Sequence, residues 1–212
     1  MKTKLILIGG GGHCKVCIDV IEQTGQFEIK GILDLAELLG ANVLDYQIIG
    51  TDKDIANYVE LGYSFLITLG QIKSASLRKK LFYMLKENKA IMATVVAPSA
   101  YVSKYSKIGA GTIVMHHAII NAGVTIGDNC ILNNKSEVEH DTVVGNHTHI
   151  STGAILNGNC KIGNGVFIGS NVTVANQITI EDKAVVGAGS VVIKNILTKD
   201  IQAGNPARSI GK

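Results

Sequence analysis

The chain has 212 residues, of which 46% are hydrophobic and 17% charged. This composition can fill a sizeable core and excludes a disordered chain, and the near balance of 20 basic and 17 acidic residues excludes a strongly basic nucleic-acid-binding surface. Because Gly is abundant at 24 residues while Trp is absent and Phe and Pro number only 4 and 2, the core is expected to be aliphatic and rich in tight turns.

The chain begins with a short predicted strand, Leu5–Ile8, followed by the glycine loop GGGGH at 9–13 and by helical spacing over His13–Gln23. A strand, a glycine loop and a helix in this order are typical of a phosphate-binding site. The apolar run is too short for a signal peptide or a membrane span. We therefore expect a cytoplasmic protein that does not bind a membrane.

Further predicted strands and helices alternate along the first hundred residues, which indicates a small Rossmann-like parallel α/β sheet. The strands are expected at Ile29–Leu33, Gln47–Ile49, Phe65–Leu69 and Ile91–Val96, and the helices at Asp52–Leu61 and Ser74–Lys86. Pro98 lies where the pattern changes. We therefore predict a nucleotide-binding α/β domain at residues 1–97 and a second domain at 98–212.

The glycine loop matches the dinucleotide fingerprint G-x-G-x-x-G only in part, because Cys14 stands where the third glycine is expected after Gly9 and Gly11. Asp34 follows at the distance at which an acidic residue binds a ribose. One such small domain is half of a dinucleotide site, so a single nucleotide is favoured. A structural turn without a ligand is the alternative.

From residue 102 onward, every sixth residue is aliphatic and the residue two positions earlier is mostly small, as at Thr112, Ala118 and Cys130. Side chains alternate in direction along a strand, so both sets are predicted to point inward. The aliphatic series is Val102, Ile108, Val114, Ile120, Ile126, Leu132, Val138, Val144, Ile150, Leu156, Ile162, Ile168, Val174, Ile180, Val186 and Val192.

Glycine adds a longer period of eighteen residues, so three hexads are expected to form one turn of a hexapeptide parallel β-helix with about five coils and a terminal cap. The glycines of this series are Gly109, Gly127, Gly145 and Gly163, with Gly169 and Gly187 as a further pair. The corner segments GDNC, GNHT and GNGV contain Gly, Asn and Asp, and we attribute this composition to a positive backbone φ.

The four cysteines, Cys14, Cys17, Cys130 and Cys160, do not have the spacing of a zinc or disulfide framework. Free Cys is commonly buried, so structural roles are expected. For Cys14 and Cys17, packing at i and i+3 of a helix is favoured over redox chemistry.

In the segment SEVEHD, Val138 is predicted to point inward, Glu139 outward, and His140 to lie near a corner between two carboxylates. An exposed imidazole with a carboxylate partner is suited to general-base catalysis, because the partner fixes the tautomer and stabilises the imidazolium. An ordinary surface ion pair is the alternative. The partner can be Asp141 or Glu139.

A zinc site like that of γ-type carbonic anhydrases is a rival role for the histidines. Ligands stacked on one face should differ by multiples of eighteen residues, whereas His140 lies 24 and 23 residues after His116 and His117 and nine before His149. We therefore expect no metal. For His116, His117 and His147 we expect solvated corner positions.

The chain as a whole resembles the bacterial sugar O-acyltransferases of the sialic acid O-acetyltransferase type, including their nucleotide-linked amino-sugar N-acetyltransferase branch. The segments that carry the resemblance are LILIGGGGHCKVCIDV, GILD, LGQIKSASLRKKL, VVAPSA, SEVEHD and AGNPAR. The resemblance implies a left-handed β-helix, a homotrimer, and an active site between subunits with acetyl-CoA in the groove between neighbouring β-helices.

The resemblance also implies roles for individual residues. His140 matches the catalytic base, Asp141 or Glu139 its partner, and Gly158 a backbone N–H for the oxyanion. The nucleotide sugar is matched by Gly10, Gly11, Gly12, His13, Asp34 and Asn133, and acetyl-CoA by His149, Gly158, Ser170, Asn176 and Ala188.

The function implied is transfer of acetyl from acetyl-CoA, without an acyl-enzyme, to the 4-amino group of a nucleotide-linked 4-amino-4,6-dideoxy sugar for a surface glycan. UDP is the first choice of nucleotide, and dTDP and GDP remain open because Leu35 stands where many relatives have a second Asp. One alternative is O-acetylation of sialic acid or a similar sugar. Another is a non-catalytic nucleotide-sugar sensor.

Overall fold

A computed structural model describes residues 2–211, which form two compact units. The first comprises the residues up to Gly70 together with Ser76–Pro98, and the second comprises Gln71–Ala75 together with the residues from Ser99 onward. The sequence-based division after residue 97 differs from this boundary by one residue, and it places the short segment Gln71–Ala75 in the other unit.

The first unit is a small α/β domain with the strand order β3-β4-β2-β1-β5-β6, in which every pairing is parallel except the β3–β4 hairpin. The expected parallel sheet is thereby confirmed. The elements are β1 (Thr3–Ile8), α1 (Gly12–Thr24), β2 (Phe27–Leu33), β3 (Asn42–Val43), β4 (Tyr46–Gly50), α2 (Ile55–Glu60), β5 (Ser64–Ile67), α3 (Ser76–Glu87), β6 (Ile91–Met92) and β7 (Val95–Val96), with 3₁₀ turns at Ala36–Leu38 and Asp52–Asp54.

Helix α1 packs its apolar face against the sheet, and both of its cysteines belong to that face. Cys14 and Cys17 are fully buried and free, which confirms their structural role. Burial raises the pKa of the Cys14 thiol to about 11 and also raises the pKa of Cys17. A thiol held in its neutral form is a poor nucleophile, so the pair is unsuited to redox chemistry.

The second unit is a left-handed parallel β-helix whose short strands form three sheets: β8-β11-β14-β17-β20-β23, β9-β12-β15-β18-β21 and β10-β13-β16-β19-β22-β24-β25. The strands are β8 (Tyr101–Val102), β9 (Lys107–Ile108), β10 (Ile113–Val114), β11 (Ile119–Ile120), β12 (Thr125–Ile126), β13 (Ile131–Leu132), β14 (Glu137–Val138), β15 (Val143–Val144), β16 (His149–Ile150), β17 (Ile155–Leu156), β18 (Lys161–Ile162), β19 (Phe167–Ile168), β20 (Thr173–Val174), β21 (Thr179–Ile180), β22 (Val185–Val186), β23 (Val191–Val192), β24 (Ile201–Ala203) and β25 (Arg208–Ser209).

The six-residue and eighteen-residue periods of the sequence are both confirmed. Each strand from β8 to β23 ends on the aliphatic residue of its hexad, and these residues are buried from Val114 onward, whereas Val102 and Ile108 of the first coil are half-buried. Strands pair with a shift of eighteen residues, as in Ile113 with Ile131. At the C-terminal end, β24 pairs with β22 and β25 folds back on β24, which caps the helix.

The glycine series has a different cause from the one expected. The left-handed residues of the corners GDNC, GNHT and GNGV are their third residues, Asn129, His147 and Gly165, with φ of 54°, 58° and 65°. The first glycine of each corner instead lies against the backbone of the next coil. A Cβ on Gly145, for example, would lie 2.6 Å from the carbonyl carbon of Gly163.

Replacing Gly145 with alanine should therefore destabilise the β-helix strongly. The nearest atoms are backbone and cannot turn aside, so we expect a loss of about 2 to 3 kcal/mol of unfolding free energy. Denaturant unfolding measures it. The control is Gly189→Ala, where φ is +70° but the added Cβ meets open space, so about 1 kcal/mol is expected. Equal losses in the two variants would contradict the close-approach explanation.

Corner side chains also satisfy the backbone of the preceding coil. Oδ1 of Asn146 accepts the N–H of Asp128 at 2.8 Å, and Oδ1 of Asn164 accepts the N–H of Asn146 at 2.9 Å. A corner N–H that would otherwise lack a partner is thereby paired. The same kind of bond recurs at the corner that carries His140.

Candidate active site

The glycine loop connects β1 to α1, and Asp34 at the end of β2 holds it in place. Asp34 Oδ2 accepts the N–H of Gly10 at 2.5 Å, and Oδ1 accepts the N–H of Leu35 at 2.8 Å. Thr68 Oγ1 donates to the carbonyl of Gly9 at 2.6 Å. Asp34 therefore shapes the loop, a role that the sequence-based reading of Asp34 as a ribose or base ligand does not include.

The four glycines of the loop differ in how close other protein atoms lie to them. Gly9 has φ of +99° and its Cβ would overlap Leu69, and a Cβ on Gly10 would lie 3.1 to 3.4 Å from three side chains. Gly11 and Gly12 have no protein atom within 4 Å of such a Cβ. The protein itself therefore needs Gly9 and Gly10, whereas Gly11 and Gly12 leave room beside the N-terminus of α1.

A cavity of about 590 Å³ opens beside this loop, at the carboxyl ends of β1, β2 and β5. Its lining includes Gly9, Leu33, Asp34, Thr51 and Leu69. Open α/β sheets bind ligands in this place, where the strand order reverses, and the volume is in the range of small-molecule sites. The unit thus brings Gly9 of the loop and Asp34 to the cavity wall, whereas Gly10, Gly11 and Gly12 follow Gly9 and are not among its lining residues.

His13 lies in the first turn of α1, and it is half-buried. Its Cβ faces Gly70, and a Cβ added to Gly70 would lie 3.6 Å from the Cβ of His13. Behind this edge Arg78 is buried and donates from Nη1 to the carbonyls of Ile67 and Leu69 at 2.9 and 2.6 Å. Arg78 therefore holds the segment after β5, a role that sequence reasoning missed although its surrounding motif was noticed.

On the β-helix, His140 and Asp141 form a hydrogen-bonded pair. Nδ1 of His140 lies 2.9 Å from Oδ2 of Asp141, and both side chains are about two-thirds exposed, at 65% and 67%. Of the two carboxylates left open by the sequence, Asp141 is the one that contacts the imidazole. Because the carboxylate accepts from Nδ1–H, the Nε2 atom carries the lone pair that a base needs.

The imidazole of His140 lies over Gly158 of the next coil. A Cβ on Gly158 would lie 2.6 Å from Nε2 of His140, so any residue other than glycine would displace the imidazole from this position. The N–H of Gly158 donates to Oδ1 of Asn176 at 2.9 Å, in the ladder of corner bonds. This N–H is thus already engaged, and it becomes available to an oxyanion only if Asn176 releases it.

The other candidate carboxylate, Glu139, acts on Glu137 instead. Its proximity, together with burial, raises the pKa of Glu137. Glu137 lies on β14 and faces outward between the corners. The Glu137–Glu139 pair was not foreseen from sequence.

Asp141 can reach His140 only because the residue beneath it has no side chain. Asp141 has φ of 59°, and a Cβ on Gly123, eighteen residues earlier, would overlap its Oδ1. In Gly123→Ala the carboxylate must move, and we expect kcat to fall about tenfold, a part of the general-base contribution. Steady-state kinetics at saturating substrates measures this.

The matched control is Gly153→Ala. Gly153 has φ of +68° and its Cβ would overlap Oδ1 of Asn171, so it shares the strain and the collision of Gly123 without a neighbouring histidine. We expect a similar fall in Tm and a smaller loss of kcat than in Gly123→Ala. A kcat that fell equally in both variants would show that Gly123 matters for folding alone.

A second group of candidate residues lies at another corner. Asn133 Nδ2 lies 3.2 Å from Nε2 of His149, and His149 Nδ1 lies 2.6 Å from the carbonyl oxygen of Gln71. Ser170 exchanges a hydrogen bond with Ser151 at 3.0 Å, and Ala188 is exposed. We call the corner that holds Asn133, Ser170 and Ala188 in successive coils the Asn133 corner, and the stack of His140, Gly158 and Asn176 the His140 corner.

The two corners flank one sheet rather than forming one cluster. Strand β14 runs from the Asn133 corner to the His140 corner, so the sheet of β8 to β23 separates them. Within one chain, the candidate base and the residues matched to acetyl-CoA and the sugar therefore divide into two sets.

The expectation of solvated corner histidines is wrong for His147. His147 is only 4% exposed, and Gln71 Nε2 donates to its backbone carbonyl at 2.9 Å. Its Nδ1 lies 3.0 Å from Asn129. His117 is exposed, and His116 is half-buried with Nδ1 3.0 Å from Ser99 Oγ. Nothing in the periodicity indicated the contact with Gln71.

Residues 2–211 contain neither a metal-binding cluster nor a membrane-spanning helix. Within this range, no group of three or more His, Cys, Asp or Glu side chains has an arrangement that could hold a metal ion. Within the same range, no helix combines the length and the apolar character needed to cross a bilayer.

Comparison with known families matches both units. The PglD N-terminal domain family matches residues 4–85, and the bacterial transferase hexapeptide family, described as six repeats, matches 105–140, 141–176 and 159–194.

Similar solved structures span the whole chain. The acetyltransferase domain of PglB from Neisseria gonorrhoeae, in complex with acetyl coenzyme A, is 30% identical with a TM-score of 0.93, and the match covers 99% of this chain and 100% of that one. PerB from Caulobacter crescentus, with CoA and GDP-perosamine, is 31% identical with a TM-score of 0.91 over 98% and 97% of the two chains. A histidine-to-asparagine variant of perosamine N-acetyltransferase from the same organism is 30% identical with a TM-score of 0.92 over 99% and 97%.

These matches cover both units in the same order and include two relatives at 30% identity or more over nearly their full length. The chain therefore belongs to the bacterial sugar O-acyltransferase family, in its branch of acetyl-CoA-dependent N-acetyltransferases that act on nucleotide-linked amino sugars.

Proposed function

We propose that this enzyme transfers the acetyl group of acetyl-CoA to the 4-amino group of a nucleotide-linked 4-amino-4,6-dideoxy sugar, as a step towards a surface glycan, with His140 as the general base. The observation that carries the proposal is the exposed His140–Asp141 pair, with 2.9 Å between Nδ1 and Oδ2. Its Nε2 has an open position above a glycine. Relatives with CoA, acetyl-CoA and GDP-perosamine support the two substrate classes.

The chemical step is a direct acyl transfer. The amine nitrogen attacks the thioester carbonyl carbon while Nε2 of His140 takes one of its protons, and Asp141 stabilises the imidazolium. The tetrahedral intermediate then collapses, the C–S bond breaks, and the thiolate of CoA leaves and takes up a proton. The four cysteines are buried, so none of their thiols is exposed to serve as the nucleophile of an acyl-enzyme.

The active site is proposed to lie between subunits of a homotrimer. The His140 corner and the Asn133 corner flank one sheet, so a neighbouring β-helix would bring the Asn133 corner of one copy to the His140 corner of another. In this arrangement His149, Gly158, Ser170, Asn176 and Ala188 contact acetyl-CoA, and Asn133 contacts the sugar. Size measurement in solution by light scattering tests the assembly, and an active monomer would contradict it.

The nucleotide is proposed to bind in the cavity of the α/β unit, with its phosphates at Gly10, Gly11, Gly12 and His13 and its ribose or base beside Asp34. Backbone N–H groups at a helix N-terminus suit phosphate. UDP remains the first choice, and the binding of GDP-perosamine by PerB makes GDP the main competitor.

The deciding experiment is a CoA-release assay with acetyl-CoA and UDP-, dTDP- and GDP-linked 4-amino sugars. Sialic acid and its CMP ester serve as controls. Turnover with one amino sugar identifies the reaction and the nucleotide together. Turnover with sialic acid alone would replace the proposal by O-acetylation, and silence across the panel would contradict it.

A further inference from the structure

The segment Gln71–Ala75 packs with the β-helix, and Gln71 makes two hydrogen-bonded contacts there. The Gln71 side chain is only 4% exposed, and its Nε2 donates to the carbonyl of His147 at 2.9 Å. Its backbone carbonyl oxygen lies 2.6 Å from Nδ1 of His149. One residue thus contacts both histidines on the two sides of residue 148.

The contact with the Gln71 carbonyl determines which nitrogen of His149 carries hydrogen. A carbonyl oxygen can only accept, so Nδ1 must be the donor. His149 is 6% exposed and packs edge-on against the ring of Phe167, with 5.3 Å between centroids. With its hydrogen on Nδ1, a neutral imidazole keeps its lone pair on Nε2.

The lone pair on Nε2 in turn orients Asn133. Nδ2 of Asn133 lies 3.2 Å from Nε2 of His149 and donates to it, while Oδ1 accepts the N–H of Asn134 at 2.8 Å. Both ends of the amide are therefore held. An amide nitrogen has two hydrogens, so one of them is left to donate to a ligand at this half-buried position.

We propose that Gln71 is a positioning residue of the acetyltransferase site: its carbonyl holds His149 as the neutral Nδ1–H tautomer, which turns the Asn133 amide so that an N–H faces the acceptor sugar. The sugar contact rests on the proposed function, whereas the tautomer does not. His149 so held accepts a hydrogen bond at Nε2 and does not donate from it to an acetyl carbonyl.

The hydrogen bonding of the Gln71 side chain also indicates that its amide is needed for a polar contact and not only for packing. Its Oε1 is buried and has no hydrogen-bond partner among the described residues. A buried acceptor without a partner destabilises the folded state, and an apolar side chain of similar size would avoid that cost. The bond from Nε2 to His147 is what the amide contributes, and it holds the carbonyl of Gln71 against His149.

The first test reads the tautomer directly in the full-length protein. Ring nitrogens of histidine are observed by ¹⁵N NMR in protein labelled at histidine, and the His149 signals are identified by their loss in His149→Phe. We expect a protonated Nδ1 and an unprotonated Nε2, unchanged between about pH 5 and 8. A protonated Nε2 on a neutral ring, or a ring that titrates in this range, overturns the proposal whether or not the enzyme acetylates any sugar of the panel.

The second test loosens the attachment. In Gln71→Met the bond to His147 is lost at nearly constant side-chain volume. We therefore expect His149 to show a mixture of tautomers. The KM for the nucleotide sugar should rise about tenfold, which corresponds to the loss of one hydrogen bond. The KM for acetyl-CoA should change less than twofold. The control is Phe167→Leu, which removes packing on His149 but no hydrogen bond, and it should lower Tm without changing the tautomer. A single Nδ1–H tautomer and an unchanged sugar KM in Gln71→Met would overturn the role of Gln71.

Discussion

Replacing His140 with alanine is expected to lower kcat at least about a hundredfold, the lower end of what a general base contributes. The imidazole is the group that contacts Asp141 and lies over Gly158, and neither carboxylate beside it can take its place above the glycine. Because its side chain is 65% exposed, Tm should change little. CoA release at saturating concentrations of both substrates measures the effect.

The control for this variant is His117→Ala. His117 is also an exposed corner histidine in the left-handed region, with φ of 57°, but it lies one coil before the Asn133 corner and not beside His140. Its kcat should remain that of the unmodified enzyme. Turnover at the unmodified rate in His140→Ala would refute the general-base mechanism, and a comparable loss in both variants would point to the fold instead.

Replacing Gly11 with valine should raise the KM for the nucleotide sugar about 10- to 100-fold, the usual effect of a misplaced apolar group in a binding site. The new side chain meets no protein atom near its Cβ, so it would occupy the space beside the N-terminus of α1 that is proposed for phosphates. Tm and the KM for acetyl-CoA should stay unchanged. Steady-state kinetics with each substrate varied separately gives both KM values.

Gly9→Ala provides the contrast. Gly9 has φ of +99° and its Cβ would overlap Leu69, so this change should lower Tm and weaken the whole loop. If Gly11→Val lowered Tm as much as Gly9→Ala, or left the nucleotide-sugar KM unchanged, the open space at Gly11 would not be a ligand site.

The glycines show how one residue type can have several physical causes that a sequence alone does not separate. Gly145 avoids the backbone of the next coil, Gly158 leaves room for an imidazole, and Gly123 leaves room for a carboxylate in the left-handed region. Gly11 avoids no protein atom at all. Sequence reasoning attributed the corner glycines to positive φ, because it had no view of the coil eighteen residues away.

The sequence by itself determined the β-helix, its three hexads per coil and the α/β unit before it. These features depend on side-chain periodicity and on short local segments, which are properties of neighbouring residues. It also predicted the corner position of His140 and left two carboxylates as partners. The cysteine pair of α1 was correctly predicted to be structural for the same local reason.

Only the tertiary structure decided which groups meet. Asp141 rather than Glu139 contacts His140, the Gly158 N–H is engaged by Asn176, and the candidate residues divide between two corners of one chain. Two hydrogen bonds join Gln71 to residues far along the chain: one to His147, 76 positions away, and one from His149, 78 positions away. Such contacts depend on how distant segments pack and on which backbone groups remain to be paired, and neither quantity is periodic in the sequence.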